Sequence, residues 1–159
     1  MKIDRPELTV PMRAAIELAQ RAAATGDIPI GAVVTTPDGT IIGPGWNTRE
    51  ATGDPTGHAE INALREAGKH LGRWRLDECI LTVTLEPCAM CAGATVLARL
   101  NKVVFGAWDP KAGACGSLRD ITRDTRLNHN PQVIGGVLED ECQALLAAHF
   151  TAQRGDNVL

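Results

Sequence analysis

The sequence predicts an α/β fold: a three-layer α/β/α sandwich on a mixed sheet of about five strands. β-branched apolar runs alternate with stretches of helical period, as in "CILTVTLE", "PCAMCAGATVLAR" and "NKVVFGAW". Such strand–helix–strand succession implies parallel pairing. Two further apolar runs, "IPIGAVVTT" and "TIIGPGW", flank "PDG" and read as an antiparallel hairpin. A length of 159 residues, 44% of them apolar, is enough for one domain with a real core. That domain is expected to span residues 1–159.

The elements follow in order. Residues 9 to 25 carry Met12, Ala15, Ile16, Ala19, Ala22 and Ala23 on one helical face, with Gly26 as a C-terminal cap. The hairpin comes next, then a polar loop, "NTREATGDPTG". From His58 a helix aligns Ile61, Leu64, Gly68 and Leu71. After the buried strand "CILTVTLE", Pro87 opens a helix, because a proline's missing N–H is unneeded in a first turn. "NKVVFGAW" is a strand, residues 109 to 131 form a Gly-rich charged loop, and "QVIGGV" is a last short strand. The final helix begins near Leu138, with Leu138, Cys142, Leu145 and Leu146 on one face and Glu139, Asp140 and Glu141 at the positive end of its dipole.

Composition narrows the function. A net charge of −3 argues against a broad nucleic-acid coat but leaves a local basic patch open. The start "MKIDRPELTV" has no apolar core of an export signal, and no run approaches the roughly 20 apolar residues of a membrane span. A cytoplasmic protein with no membrane partner is expected. Five cysteines, an odd number, favour metal or catalytic use over a disulfide framework.

The sharpest signal is "LEPCAMC", where a strand ends and a helix begins. Cys88 and Cys91 lie three apart in its first turn, on one side, where the helix dipole favours thiolates. Alone, such a pair fits a redox couple as well as a metal. His58, at the start of another helix, is a candidate third ligand, since helix starts in an open α/β sheet gather at the carboxyl edge of the strands. Three protein ligands leave a zinc ion one open position, the mark of a catalytic site. Glu60, two residues beyond His58, is the nearby unligated carboxylate. Its competing role is that of a solvated first-turn glutamate.

"HAE" combined with "PCxxC" matches the zinc deaminase signature. From about residue 12 to 150 the chain resembles the bacterial tRNA-specific adenosine deaminases of the cytidine deaminase superfamily. The resembling stretches are "GDIPIGAVV", "GWN", "DPTGHAEINALR", "VTLEPCAMCAGA", "VVFGAWDPKAGACGSL", "LNH" and "ECQALL". The resemblance implies a cytidine deaminase-like fold, one Zn2+ per subunit held by His58, Cys88 and Cys91, and Glu60 as proton shuttle. The implied reaction is hydrolysis of adenosine to inosine at the wobble position of a tRNA anticodon, water activated at the zinc attacking C6. Asn47 resembles the family's substrate-contacting asparagine, Asp109 its loop aspartate near the flipped nucleotide, and Asn128 a further RNA contact. Ile28, Pro29, Ile30, Leu85 and Glu86 are expected to line the base pocket, with the Ala59 backbone beside the attacked carbon. Simpler roles are open for some: Asn47 as hairpin terminator, Asp109 as turn opener, Asn128 as a loop residue.

Lys111, Arg119, Arg123 and Arg126 form a possible phosphate-binding strip, interleaved with Asp120 and Asp124. The end, "HFTAQRGDNVL", lacks the basic tail common among relatives. The helix from Ala89 to Leu100 is apolar nearly all round, which a subunit interface would explain; the resembling family is homodimeric. Cys79 and Cys142 read as small buried hydrophobes, and Cys115 as a loop residue rather than a ligand. The anticodon stem-loop is thus the expected partner. The alternatives are a free guanine, cytosine or nucleoside deaminase on the same fold, and a non-catalytic zinc-stabilised RNA-binding module.

Overall fold

The computed structural model describes residues 5–156. The first four residues of the stretch read as lacking an export signal, and residues 157–159 of the non-basic tail, lie outside the described residues. Helix α1 (Pro6–Ala24) leads into strands β1 (Gly31–Thr35) and β2 (Ile41–Trp46). A one-turn helix α2 (Arg49–Thr52) and helix α3 (Ala59–Leu71) follow, then β3 (Ile80–Leu85) and α4 (Ala89–Leu97). Strands β4 (Lys102–Ala107) and β5 (Gln132–Ile134) and helix α5 (Glu139–Asp156) complete the order.

The five strands form one mixed sheet in the order β2-β1-β3-β4-β5. β1 runs antiparallel to both of its neighbours, whereas β3, β4 and β5 are parallel. This direction pattern decides where the site can be. Gly31, the first residue of β1, pairs with Trp46, the last of β2, and donates its N–H to Thr84 Oγ1 at 3.2 Å. Leu85 at the end of β3 lies beside Ala107 at the end of β4. Segments 27–30, 47–48, 86–88 and 108–112 therefore all leave the sheet at one edge.

Side chains alternate across a strand, so β4 feeds two cores. Val103 and Phe105 pack with Ala59, Ala63 and Ala67 of α3 and Ala92 of α4. Val104 packs with Leu8, Met12 and Ala15 of α1 and Cys142 of α5. The helices thus form one layer on each face, as the sequence predicts.

Four details differ from the sequence reading. Helix α1 starts at Pro6, three residues early, and runs through Pro11, which stays buried inside the helix. Ala23 is exposed, so the buried face is Leu8, Pro11, Met12, Ala15, Ala19 and Ala22. Helix α4 begins at Ala89 with Cys88 as its N-cap, so Pro87 precedes the helix rather than opening it. The largest difference is in α3, which turns Ala59, Glu60, Ala63 and Ala67 inward and leaves Ile61, Leu64, Gly68 and Leu71 half-buried. The cause is backbone proximity: a Cβ on Gly43 or Gly45 of β2 would collide with the carbonyl of Ala63 or Ala59. Only small residues on both elements allow this approach, and leucines there would lift the helix off the sheet.

Candidate metal centre and active site

Two of the helix starts at the sheet edge present their cap residues to each other. His58 caps α3 with φ −85° and ψ 151°, and Cys88 caps α4 with φ −72° and ψ 178°. Both are extended, and neither side chain folds back to bond its own helix, as a capping Ser or Asp would. The side chains are left free to converge. His58 Nδ1 is 3.6 Å from Cys88 Sγ and 3.4 Å from Cys91 Sγ, and the three donor atoms all lie within 4.8 Å of one another.

These separations fit zinc. Bond lengths of about 2.3 Å to sulfur and 2.0–2.1 Å to nitrogen in a tetrahedron place N and S about 3.6 Å apart. The protonation chemistry fits as well. Cys88 is drawn down to about 4 by its hydrogen bond with Cys91 and by His58. Cys91 is pushed far up by its hydrogen bond to Cys88, by burial and by the negative charge of Glu60. Without a cation the second thiolate is therefore disfavoured, and a dication relieves that repulsion. The remaining cysteines behave otherwise: burial pushes Cys115 and Cys142 up to about 12 and raises Cys79 as well. They are inert core thiols.

Glu60 sits at the second position of α3 and is only 4% exposed. Burial raises its pKa, against the opposing pull of the Cys91 thiol and its own backbone N–H. The two-residue spacing from His58 is no obstacle, because the cap residue is not yet helical. Both side chains face one cavity of about 240 Å3, which Cys88 also lines. That volume is below the roughly 300–1,000 Å3 of sites for drug-sized ligands and suits a single base.

The other residues singled out in the sequence divide into three groups. Asn47, Ile28, Leu85, Glu86 and Asp109 line the cavity, together with Ile30. Pro29 and Ala59 are buried and adjoin lining residues in sequence, Ile28 and Ile30 on one side and His58 and Glu60 on the other. Asn128 is exposed and stands apart from the cavity lining. In the charged loop, Arg123 pairs with Asp120 at 2.7 Å and Arg126 with Asp124 at 2.8 Å. Among the described residues, Lys111 and Arg119 are exposed and in no ion pair.

Asn47 is fixed by its backbone N–H to Ile30 O at 3.1 Å. Its side chain makes only long bonds, Nδ2 to Ile28 O and Oδ1 from Arg49 N–H, both at 3.4 Å. Those lie beyond the usual range, so the amide keeps bonding capacity. Asp109 Oδ1 accepts the N–H of Lys111 and Ala112 at 3.1 and 3.3 Å, so it is both turn opener and wall residue.

Three contributors escaped the sequence reading. Arg49 and Ala112 also line the cavity. Asp27, 1% exposed, accepts the N–H of Glu50 at 2.7 Å and of Ala51 at 3.0 Å, capping α2 and fixing Arg49. The signal was the buried-looking "GDIPI", whose aspartate had no assigned partner.

A fold with this edge, a His–Cys–Cys trio and a buried glutamate defines a zinc-dependent deaminase. The chain belongs to the family of the cytidine and deoxycytidylate deaminase zinc-binding region, whose model matches residues 7–107. Among its relatives is the tRNA-specific adenosine deaminase of Bacillus subtilis strain 168, 48% identical over 143 residues, 90% of this chain and 88% of that one. A structure described in work on A-to-I editing by tRNA:A34 deaminases at the wobble position superposes with a TM-score of 0.83. It is 39% identical and covers 87% of this chain and 99% of that one. A guanine deaminase from Bacillus subtilis superposes with a TM-score of 0.60 at 40% identity, covering 71% of each chain.

Proposed function

We propose that this chain is a zinc-dependent hydrolase converting adenosine to inosine at the wobble position of a tRNA anticodon. The observation that carries the reading is the His58–Cys88–Cys91 trio, with the Glu60 carboxylate on the wall of the same base-sized cavity. High identity to a tRNA-specific adenosine deaminase over nine-tenths of the chain supports the choice of substrate.

Zinc held by the trio supplies a Lewis acid that makes water nucleophilic near neutral pH. The protein's own groups do the rest. Glu60 accepts the proton released from the water and delivers one to N1 of the adenine ring, making C6 electrophilic. It then carries a proton to the departing amino group, so that water enters and ammonia leaves. A buried carboxylate with a raised pKa suits both halves of this transfer. Ile28, Ile30 and Leu85 hold the flat base, and the Asn47 amide bonds its polar edge. Such a cavity takes a base only after it leaves its stack. Arg49, the cation on the wall, takes the phosphate beside it. Lys111 and Arg119 extend that contact. Arg123 and Arg126 do so only by leaving Asp120 and Asp124.

Residues 1–159 serve as one deaminase domain, working as a homodimer in the cytoplasm, where tRNA resides. The half-buried face of α3 supports the pairing. With Trp74 and Leu97, 65% and 70% exposed, it forms an open groove of about 400 Å3 that a second copy would cover. No helix among the described residues is long and apolar enough to cross a membrane.

The test uses an anticodon stem-loop with a wobble adenosine, and separately guanine, cytosine and cytidine. Inosine in the stem-loop, absent with Glu60→Ala, is the expected result. Turnover of a free base but not the RNA would favour the guanine deaminase likeness instead. Zinc and tight RNA binding without turnover of anything would favour a binding module.

A further inference from the structure

We infer that Glu86 is a positioning residue of the base cavity, acting through the loop 109–117 rather than on substrate. The inference rests on the deaminase reading for its activity readout. Glu86 is 2% exposed, and among the described residues no Lys or Arg pairs with it. A buried carboxylate in that state is costly unless hydrogen-bonded. Here it accepts the N–H of Asp109 at 3.0 Å on Oε1, and those of Cys115 at 3.1 Å and Ser117 at 3.0 Å on Oε2. The Ser117 hydroxyl also donates to Oε1. Bonds to an ionised acceptor are roughly twice as strong as neutral ones.

The donors come from both ends of one loop. Between them the loop is attached to the strand end by Ala114 N–H to Pro87 O at 2.8 Å and by a bridge between Cys88 and Gly113. Gly113 lies flat on the carboxylate, where a Cβ would collide with it. The two wall residues of this loop, Asp109 and Ala112, therefore owe their place to Glu86. The zinc ligands have anchors of their own: His58 and Cys91 are set by the starts of α3 and α4, and Cys88, although bridged to Gly113, is the N-cap of α4. Loss of the carboxylate should release the cavity wall while leaving the metal trio assembled. Asp27 does the same for the wall carrying Arg49.

Glu86→Gln keeps the volume but turns an N–H2 toward backbone N–H donors. The expected result is one zinc per chain, a KM for the wobble-adenosine stem-loop raised about tenfold or more, and kcat changed less than about threefold, since small misplacements at a site carry large penalties. Amide exchange at Asp109, Cys115 and Ser117 should accelerate in the same variant. KM and kcat both within about twofold of the parent protein would overturn the inference. So would a fall in kcat alone with unchanged exchange, which would put Glu86 in the chemistry. Where Glu86→Gln fails to fold, Ser117→Ala carries the test, with KM up about two- to threefold expected and an unchanged KM overturning it. If the parent protein does not act on the stem-loop, the deaminase reading fails, while the exchange measurement still decides whether Glu86 holds the loop.

Discussion

Glu60 and Glu86 are two glutamates on the wall of one cavity, and both are nearly inaccessible to solvent. Glu86 is saturated by three backbone N–H groups and a hydroxyl. At Glu60 burial raises the pKa, and only the Cys91 thiol, its own backbone N–H and the charge of His58 pull the other way. Burial is the same and solvation by the protein is opposite. A carboxylate whose lone pairs are all taken can hold a chain segment still. One whose lone pairs are mostly free is poorly stabilised and correspondingly able to do chemistry. The protein thus separates architecture from reactivity by donor supply, with the residue type unchanged.

Removal of zinc by a chelator should abolish turnover entirely, with recovery on adding zinc back and a lowered Tm in between. Recovery with magnesium alone would undo the metal assignment. Next, Glu60→Gln should cut kcat by about 10²–10⁴ while keeping zinc and leaving Tm equal to or above that of the parent protein. Glu86→Gln should show the reverse balance, losing about 1–3 kcal/mol of stability to unsatisfied buried groups. Paired urea titrations and single-turnover assays would read both. Equal stability losses in the two variants would end the distinction. The smallest effect is expected from Arg126→Ala, an exposed partner of Asp124, which should leave Tm unchanged within error. A clear loss of stem-loop affinity in that variant would show that it exchanges Asp124 for phosphate.

Much of this was legible from residues. The order of elements followed from apolar period and turn residues, and the trio from ligands at two helix starts. What escaped depended on pairing across the chain. The inward face of α3 was misread because Ile61 and Leu64 outweigh alanines on any hydrophobicity scale, whereas the deciding partners, Gly43 and Gly45, lie on β2. The Asp27 and Glu86 carboxylates bond mainly backbone N–H groups, whose identity no side-chain pattern announces. Arg49 reached the cavity because α2 turns there, and a helix of four residues is too short for periodicity to detect.

The alanine-on-glycine contact beneath α3 has a consequence for how this protein can change over generations. The helix start that bears His58 and Glu60 is seated backbone to backbone, with almost no side-chain bulk to trade. Elsewhere in the interior, a Leu lost on one side can be answered by a Met gained on the other. At Gly43, Gly45, Ala59 and Ala63 no such exchange exists, so drift in size is closed to those positions. New substrate preferences would have to arise in the loops around the opening, where the chain still has room to vary.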